Sequence, residues 1–410
     1  MHLINSLRVT MLVVGASLAA SAQRHLPVLR ATQPKLNIRE GQGLYRDVWG
    51  VSSAARPDVF VAQPFTGKKR LVFYSDLDSL VFWVKPRQTY NFVVLVAGRD
   101  SAFTQITTHG GQKPSLVPKL VYTRLRPGAT GPDTLRFELD KNFGIHVQSR
   151  LNGSAPLDFL VDTGAGAVVL TAAAARQRVP LRVDGQTINA GADGRRSVPT
   201  SSGNVLEIAG LRWPQVSLLT IDYAGGAAFD GVLGWVAFEN RIVEIDYERR
   251  YLVVHDRLPA LAADYAPVEL QLRNGLPFIK CTLTANGQPS EGWFDLDTGS
   301  DGGLVVGQRF AADHGLTGLP RLGTAHASGS AGGTVRQAIV ALPKLKVGAY
   351  ELYQLPLYIN EQDPAGGATA ENIGSTILKR FNLVLDFRAQ RAYLRPNRYL
   401  YAPIAGEPAR

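Results

Sequence analysis

Two short stretches of the chain each end an apolar run at an aspartate that is followed by Thr-Gly. They are DFLVDTGAGA, which contains Asp162, and GWFDLDTGSD, which contains Asp297. A glycine two residues after each aspartate permits a tight turn that brings backbone N–H groups back towards the carboxylate. Two carboxylates held a hydrogen bond apart cannot both ionise, so they share one proton and offer a base and an acid together. The chemistry therefore depends on whether Asp162 and Asp297 meet.

The segments around the two aspartates repeat one another in the same order. Each aspartate follows two alternating, strand-like runs joined by an Asn- and Gly-containing turn, LRFELDKNFGIHVQSRLNG in the first copy and VELQLRNGLPFIKCTLTANG in the second. Each precedes an apolar-Gly step, GVLGWVAF or NIGSTILK, and then a strand, a charged turn and a strand. The spacing from Gly234 to Asp246 equals the spacing from Gly374 to Asp386. The repeat predicts two copies of one β unit, in which Asp246 and Asp386 are structural turn residues.

From about Leu135 to Pro396 the chain resembles the pepsin and retropepsin-like aspartic proteases. The resemblance rests on both copies of hydrophobic-Asp-Thr-Gly and of hydrophobic-hydrophobic-Gly, since a single Asp-Thr-Gly recurs by chance. It implies a mainly β, bilobal double β-barrel. The strand-like runs between residues 35 and 125 separately predict a small β-rich N-terminal domain before it. The first motif continues to Ala165, as in retropepsins, and the second to Ser300, as in both lobes of many pepsins. The chain is therefore best described as retropepsin-like, with two fused lobes.

The resemblance implies an aspartic endopeptidase in which Asp162 and Asp297 activate a water that hydrolyses peptide bonds. The threonines of the motifs would cross-brace the two loops by hydrogen bonds, and the glycines would let backbone N–H groups approach the carboxylates. The residues implied to support the pair are Thr163, Gly164, Thr298, Gly299 and Ser300.

The two aspartates are expected to be unequal. By resemblance, the Ser300 hydroxyl can donate a hydrogen bond to Asp297, whereas Ala165 has no hydroxyl to offer Asp162. Such a bond favours the charged form of a carboxyl group. We therefore expect Asp162 to hold the shared proton.

Two Gly- and Ser-rich segments are candidates for the hairpin flap that closes the cleft in this family. They are Ile188–Asn204 and Ala325–Ala338, and each lies downstream of its own aspartate. Flexible composition suits a lid, but it also suits a plain surface hairpin. No pepsin-type flap tyrosine lies between Thr187 and Asn204. The sequence does not say which hairpin acts as the flap.

The N-terminus has the layout of a secretory signal peptide, with Arg8, an apolar stretch and small residues at Ala20 and Ala22. We expect cleavage after Ala22 and export to the periplasm or the medium, with no stable membrane anchor left. The single cysteine, Cys281, excludes an intrachain disulfide.

The expected organisation has six parts, of which the two lobes carry the repeat. The parts are the signal peptide (1–22), a β-rich module (35–125), a Gly- and Pro-rich linker (126–133), the first lobe (134–262), the second lobe (263–398) and a C-terminal tail (399–410).

The charge distribution and the missing motifs argue against nucleic-acid binding, serine hydrolase chemistry and metal chemistry. The formal net charge of +10 is spread along the chain without a Lys/Arg block, which argues against nucleic-acid binding. There is no nucleophile elbow and no His-x-x-x-His spacing, so we expect no metal and no cofactor. The expected partner is a peptide or unfolded protein, and one chain carrying both aspartates is expected to act as a monomer.

Two alternatives stay open at this point. The lobes could form a catalytically silent protein that binds peptides in the same cleft, because a fold does not guarantee activity. The N-terminal module could instead bind a surface glycan or protein, with the protease lobes as accessories.

Overall fold

The computed structural model describes residues 26–32, 35–40, 43–51, 57–62, 65–109, 120–126, 128, 131–238, 241–273, 276–362, 371–387 and 389–403. The predicted signal peptide and the last part of the predicted tail lie outside these residues. The described structure is mainly β, as predicted. The chain divides into two compact units, Met1–Pro118 and Lys119–Arg410. Within the described residues, no helix has the length and apolar character needed to cross a membrane.

The first unit is built from two sheets, in the orders β1-β7-β8-β4 and β3-β2-β5-β6. Its described strands are Val28–Ala31 (β1), Lys35–Glu40 (β2), Gly43–Gly50 (β3), Asp58–Val61 (β4), Lys69–Tyr74 (β5), Ser79–Val84 (β6), Thr89–Val96 (β7) and Asp100–Thr107 (β8). The ring of Phe73 on β5 lies 5.4 Å from that of Phe60 on β4 and 5.0 Å from that of Phe92 on β7. The two sheets therefore share one apolar core.

The first half of the second unit contains a closed barrel of six strands. Its strands are Thr123–Arg124 (β9), Asp133–Arg136 (β10), Glu138–Leu139 (β11), Ile145–Leu151 (β12), Leu157–Asp162 (β13), Val168–Thr171 (β14), Gly185–Gly191 (β15), Gly194–Ile208 (β16), Leu211–Ile221 (β17), Gly231–Gly234 (β18), Ile242–Asp246 (β19) and Tyr251–His255 (β20), with helix Ala172–Gln177 (α1) and a 3-10 turn Trp235–Phe238. Strands β12, β13, β18, β14, β17 and β16 pair in that order, and β16 pairs back to β12.

The second half of this unit contains another closed barrel of six strands, with the same order of pairing. Its strands are Ala266–Arg273 (β21), Leu276–Ala285 (β22), Gln288–Leu296 (β23), Leu304–Val306 (β24), Arg321–Ser328 (β25), Thr334–Val347 (β26), Tyr350–Asn360 (β27), Asn372–Ile373 (β28), Phe381–Asp386 (β29) and Arg391–Pro396 (β30), with helices Gln308–Asp313 (α2) and Ser375–Leu378 (α3) and a 3-10 turn Leu316–Gly318. Strands β22, β23, β28, β24, β27 and β26 pair in that order and close through β26–β22. The predicted duplication and double barrel are confirmed.

One sheet joins the two barrels. The strands β10, β20 and β19 from the first half pair through β19–β29 with β29, β30 and β21 from the second half. Asp246 ends β19, and its Oδ1 accepts the N–H groups of Glu248 at 3.0 Å and Arg249 at 2.9 Å. Asp386 ends β29 and accepts the N–H of Ala389 at 3.0 Å. Both aspartates therefore close turns, in keeping with a structural role.

The boundary between the units lies earlier in the chain than the predicted end of the N-terminal module at residue 125. Strand β9, Thr123–Arg124, pairs with β17 of the first barrel. Asp133, which the sequence assigned to the linker 126–133, begins β10 and pairs with β20. The Gly- and Pro-rich composition of this segment concealed the short strands on either side of it.

Candidate active site

The two aspartates stand at equivalent places in the two barrels. Asp162 is the last residue of β13, and Asp297 directly follows β23. Their carboxyl groups lie close together, because each is packed against the Asp-Thr-Gly glycine of the opposite barrel. A Cβ placed on Gly164 would lie 2.6 Å from Cγ of Asp297, and one placed on Gly299 would overlap the Asp162 carboxyl group. Each glycine of the Asp-Thr-Gly motifs is thus packed against the aspartate of the opposite barrel, and only a residue without a side chain fits.

The two threonines form a reciprocal brace beneath the aspartates. The N–H of Thr163 donates to Oγ1 of Thr298 at 3.1 Å, and the N–H of Thr298 donates to Oγ1 of Thr163 at 3.0 Å. The Thr298 hydroxyl donates to the carbonyl of Val161 at 2.8 Å, and the Thr163 hydroxyl donates to the carbonyl of Leu296. Both threonines are buried. Each hydroxyl therefore links its own loop to the strand of the other barrel, which holds the aspartates at a set separation.

The glycine of each apolar-Gly step is also required by close packing. A Cβ on Gly374 would lie 2.5 Å from the carbonyl oxygen of Gly302, and one on Gly234 would overlap the carbonyl oxygen of Ala167. Gly234 ends β18, which pairs with β13 so that Asp162 is in register with Gly234, and Gly374 directly follows β28, which pairs with β23. In each barrel, the apolar-Gly step therefore supports the loop that carries the Asp-Thr-Gly motif.

The two carboxylates differ in the donors that they receive. Oδ1 of Asp297 accepts the N–H groups of Gly299 at 2.9 Å and Ser300 at 3.0 Å, and Oδ2 accepts Nδ2 of Asn372 at 2.7 Å. Oδ1 of Asp162 is buried without a hydrogen-bond partner among the described residues. Donors that point at a carboxylate favour its charged form. Asp297 is therefore the member of the pair that is better prepared to carry the negative charge.

Asp162 has the opposite environment. Burial raises the pKa of Asp162 well above its usual range, and the neighbouring charge of Asp297 raises it further. The N–H groups of Gly164 and Ala165 oppose this shift, although neither makes a well-formed hydrogen bond to the carboxylate. Asp162 is therefore the member suited to hold a shared proton.

The donor to the second oxygen of Asp297 differs from the one expected. The Ser300 hydroxyl makes no hydrogen bond to Asp297, and its Oγ accepts instead the N–H of Gly302 at 3.4 Å. Ser300 supports Asp297 through its backbone N–H, while Asn372 supplies the side-chain donor. The signal for Asn372 was present in the sequence, because a polar residue stands there in the hydrophobic-hydrophobic-Gly step.

The two candidate flaps are both hairpins, and their tips contact each other. The first hairpin pairs β15 with β16, and the second pairs β25 with β26. Asp193, in the turn of the first hairpin, accepts the N–H groups of Ala331 at 3.0 Å and Gly333 at 2.6 Å from the turn of the second. Asn189 adds a hydrogen bond from Nδ2 to Oγ of Ser330 at 2.9 Å. The hairpins thus form a joined pair, one from each barrel.

Tyr223 lies just after β17, where the charges of both Asp162 and Asp193 act on it. Its ring packs in a small cluster with Val198 of β16 and Val232 of β18. Burial raises the pKa of Tyr223, and the nearby charges of Asp162 and Asp193 raise it further. A tyrosine therefore lies within electrostatic range of both the aspartate pair and the hairpin tip. Tyr223 follows β17 and therefore lies outside the segment from Thr187 to Asn204, where a flap tyrosine of the pepsin type would stand.

Replacing Asp193 with Ala is expected to separate the hairpin tips. The carboxylate accepts two N–H groups, and hydrogen bonds to a charged group contribute about 1.5–3 kcal/mol each. Loss of even one such contribution should speed amide hydrogen exchange at Ala331 and Gly333 by about tenfold or more. Asp184→Ala is the matched control, because Asp184 accepts the N–H of Ser202 at 2.9 Å within the first hairpin. Unchanged exchange at both tip amides would show that Asp193 does not hold the tips together.

One comparison with known protein families matches both barrels. The family model for aspartyl protease matches residues 147–236 and 281–375, which are the two barrels in turn. No curated protein sequence matches the chain significantly. Among similar solved structures is the aspartic proteinase from Irpex lacteus, which is 12% identical, covers 67% of this chain and 100% of its own, and has a TM-score of 0.47. No described group of three or more His, Cys, Asp or Glu side chains is arranged to hold a metal ion. The chain thus resembles the aspartyl protease family in two regions, one in each barrel.

Proposed function

We propose that this protein is an exported aspartic endopeptidase, in which Asp162 and Asp297 activate water to hydrolyse peptide bonds. One observation carries the proposal, namely two adjacent carboxyl groups, one from each barrel, with unequal donors. Such a pair offers a charged base and a protonated acid in one place. The signal-peptide pattern at residues 1–22 supports export.

The unequal environments of the two carboxyl groups assign the role of base to Asp297 and the role of acid to Asp162. Asp297, as the carboxylate, takes a proton from a bound water, whose oxygen attacks the scissile carbonyl carbon. Asp162 gives its proton to the carbonyl oxygen, so that a neutral tetrahedral species forms. Asp297 then passes its proton to the amide nitrogen as the C–N bond breaks, and Asp162 recovers its proton from the hydroxyl. The pair ends the cycle with one shared proton, as it began.

The experiment that tests this function is digestion of a mixed peptide library at several pH values by the wild type and by Asp297→Asn. Internal cleavage products from the wild type alone would support an endopeptidase that depends on the pair. Peptides that bind without being cleaved would instead support a catalytically silent protein with the same cleft. The library also reports which side chains are accepted on each side of the cleaved bond.

Activity per molecule is expected to be independent of enzyme concentration. Both carboxylates and both bracing threonines come from one chain, so no second copy is needed to complete the site. The measurement is initial rate divided by enzyme concentration over a dilution series, with sedimentation of the same samples. A specific activity that falls in step with dissociation of a dimer would contradict a site formed within one chain.

A further inference from the structure

Asn372 and Asp295 form a polar pair beside Asp297. The two are direct neighbours on the parallel strands β28 and β23, with Asp295 in register with Asn372. Successive residues of a strand point to opposite faces, so Asp295 and Asp297 share one face of β23. Since Nδ2 of Asn372 reaches Oδ2 of Asp297 at 2.7 Å, the Asn372 side chain lies on that face too.

Each member of this pair has an oxygen that lacks a partner. Oδ1 of Asp295 and Oδ1 of Asn372 are both buried, and neither has a hydrogen-bond partner in the described part of the chain. An amide oxygen and an ionised carboxylate are both acceptors only. A proton on Asp295 would convert one of the two acceptors into a donor and satisfy both.

The charges around Asp295 favour such a proton. Burial raises the pKa of Asp295 well above its usual range, and the charges of Asp297 on its own strand and Asp162 from the other barrel raise it further. Asp295 is 7% exposed, so water does little to offset these effects. A second negative charge beside the singly ionised aspartate pair would be costly, whereas a neutral carboxylic acid is not.

The first barrel lacks this arrangement. Asp162 stands in register with Gly234, which places Leu160 opposite Val232 at the positions that Asp295 and Asn372 occupy in the second barrel. The polar pair is therefore found beside the aspartate that receives three donors and not beside the one whose Oδ1 has no partner. The aspartate with more hydrogen-bond donors, Asp297, is thus the one whose neighbouring strands carry polar side chains.

We propose that Asp295 is a neutral acid that donates a hydrogen bond to Oδ1 of Asn372, and that this contact aims the Asn372 amide at Asp297. Asp295 and Asn372 are then positioning residues, which hold Asp297 as the charged base while Asp162 keeps the proton. The inference rests on the proposed function of the pair and assigns a role to two residues outside the Asp-Thr-Gly motifs.

Three variants test the roles in catalysis. Asn372→Leu removes a donor from Asp297, so kcat should fall about tenfold with little change in KM, and the acidic limb of the pH–rate profile should move about one unit higher. Asp295→Leu should act in the same direction, because the amide loses its partner. Asp295→Asn should recover most of the loss, since its Nδ2 can donate to Oδ1 of Asn372 as the neutral acid does.

A matched control separates positioning from general loss of stability. Asn360 is a buried amide in the same barrel whose Oδ1 accepts Nε2 of Gln337 at 2.9 Å. Asn360→Leu should lower the melting temperature without moving the acidic limb. If Asp295→Asn is as damaging as Asp295→Leu, or if folded Asn372→Leu keeps the wild-type limb, the proposal is overturned.

A measurement without turnover keeps the two proposals distinguishable. In wild-type protein labelled with ¹³C in aspartate, the carboxyl signal of Asp295 should keep its protonated position at pH values well above those at which an ordinary aspartate titrates. An inactive wild type with this signal would count against the protease function but support the neutral acid. A signal that titrates near the ordinary pKa would overturn the neutral acid even in an active enzyme.

Discussion

Replacing Asp297 with Asn is expected to lower kcat/KM for peptide hydrolysis by about four orders of magnitude, and Asp162→Asn should do the same. An amide cannot take the proton of water in place of Asp297, and it cannot release the proton that Asp162 would give to the substrate. The fold should survive, because the brace between the barrels is made by Thr163 and Thr298 and by backbone groups. The measurement is kcat/KM on one peptide, together with thermal melts of each variant.

The double variant provides the second part of this test. Because the two carboxylates share one proton, removing both should cost little more than removing one. Asp246→Asn is the matched control, since that carboxylate accepts turn N–H groups at the end of β19 and should affect stability alone. Substantial cleavage by either single variant, with contaminating protease excluded, would contradict the assignment of the pair.

The sequence predicted the parts of the molecule that depend on repetition. Two Asp-Thr-Gly motifs in matched contexts indicated a duplicated barrel, and the structure shows the same order of pairing around Asp162 and Asp297. The glycines were informative because close packing permits nothing larger at Gly164 and Gly299. A local requirement for one residue type leaves a pattern that a reader of the sequence can detect.

The parts that the sequence did not predict arise from contacts across long separations in the chain. Asp193 meets Ala331 and Gly333 only because both barrels place their hairpins side by side, and neither turn carries a motif for the other. Asn372 and Asp295 each look like a polar interruption of an apolar strand until the register of β23 and β28 pairs them. Such contacts depend on tertiary placement, which periodicity and composition do not specify.

The other large effect is expected from a single methyl group. In Gly299→Ala the new Cβ would overlap the Asp162 carboxyl group, so that group must move away from Asp297. A displacement of about 1 Å in a catalytic group can cost about 10²-fold in rate, and we expect kcat to fall by that amount. The overpacking should also lower the free energy of unfolding by about 1–3 kcal/mol.

Two further variants, Gly164→Ala and Gly318→Ala, test whether contact with the opposite aspartate causes the fall in kcat. Gly164→Ala places its Cβ 2.6 Å from Cγ of Asp297, so it should lose kcat to a similar degree. Gly318→Ala lies in the second barrel with no atom within 4 Å of the added Cβ, and it should keep the wild-type kcat. The measurements are kcat, KM and the melting temperature of all three variants. A folded Gly299→Ala with wild-type kcat would show that the spacing of the two carboxyl groups does not control the rate. A loss confined to one of the two motif glycines would mean that the aspartates do not act as one coupled unit, because the added Cβ meets Asp297 in one variant and Asp162 in the other.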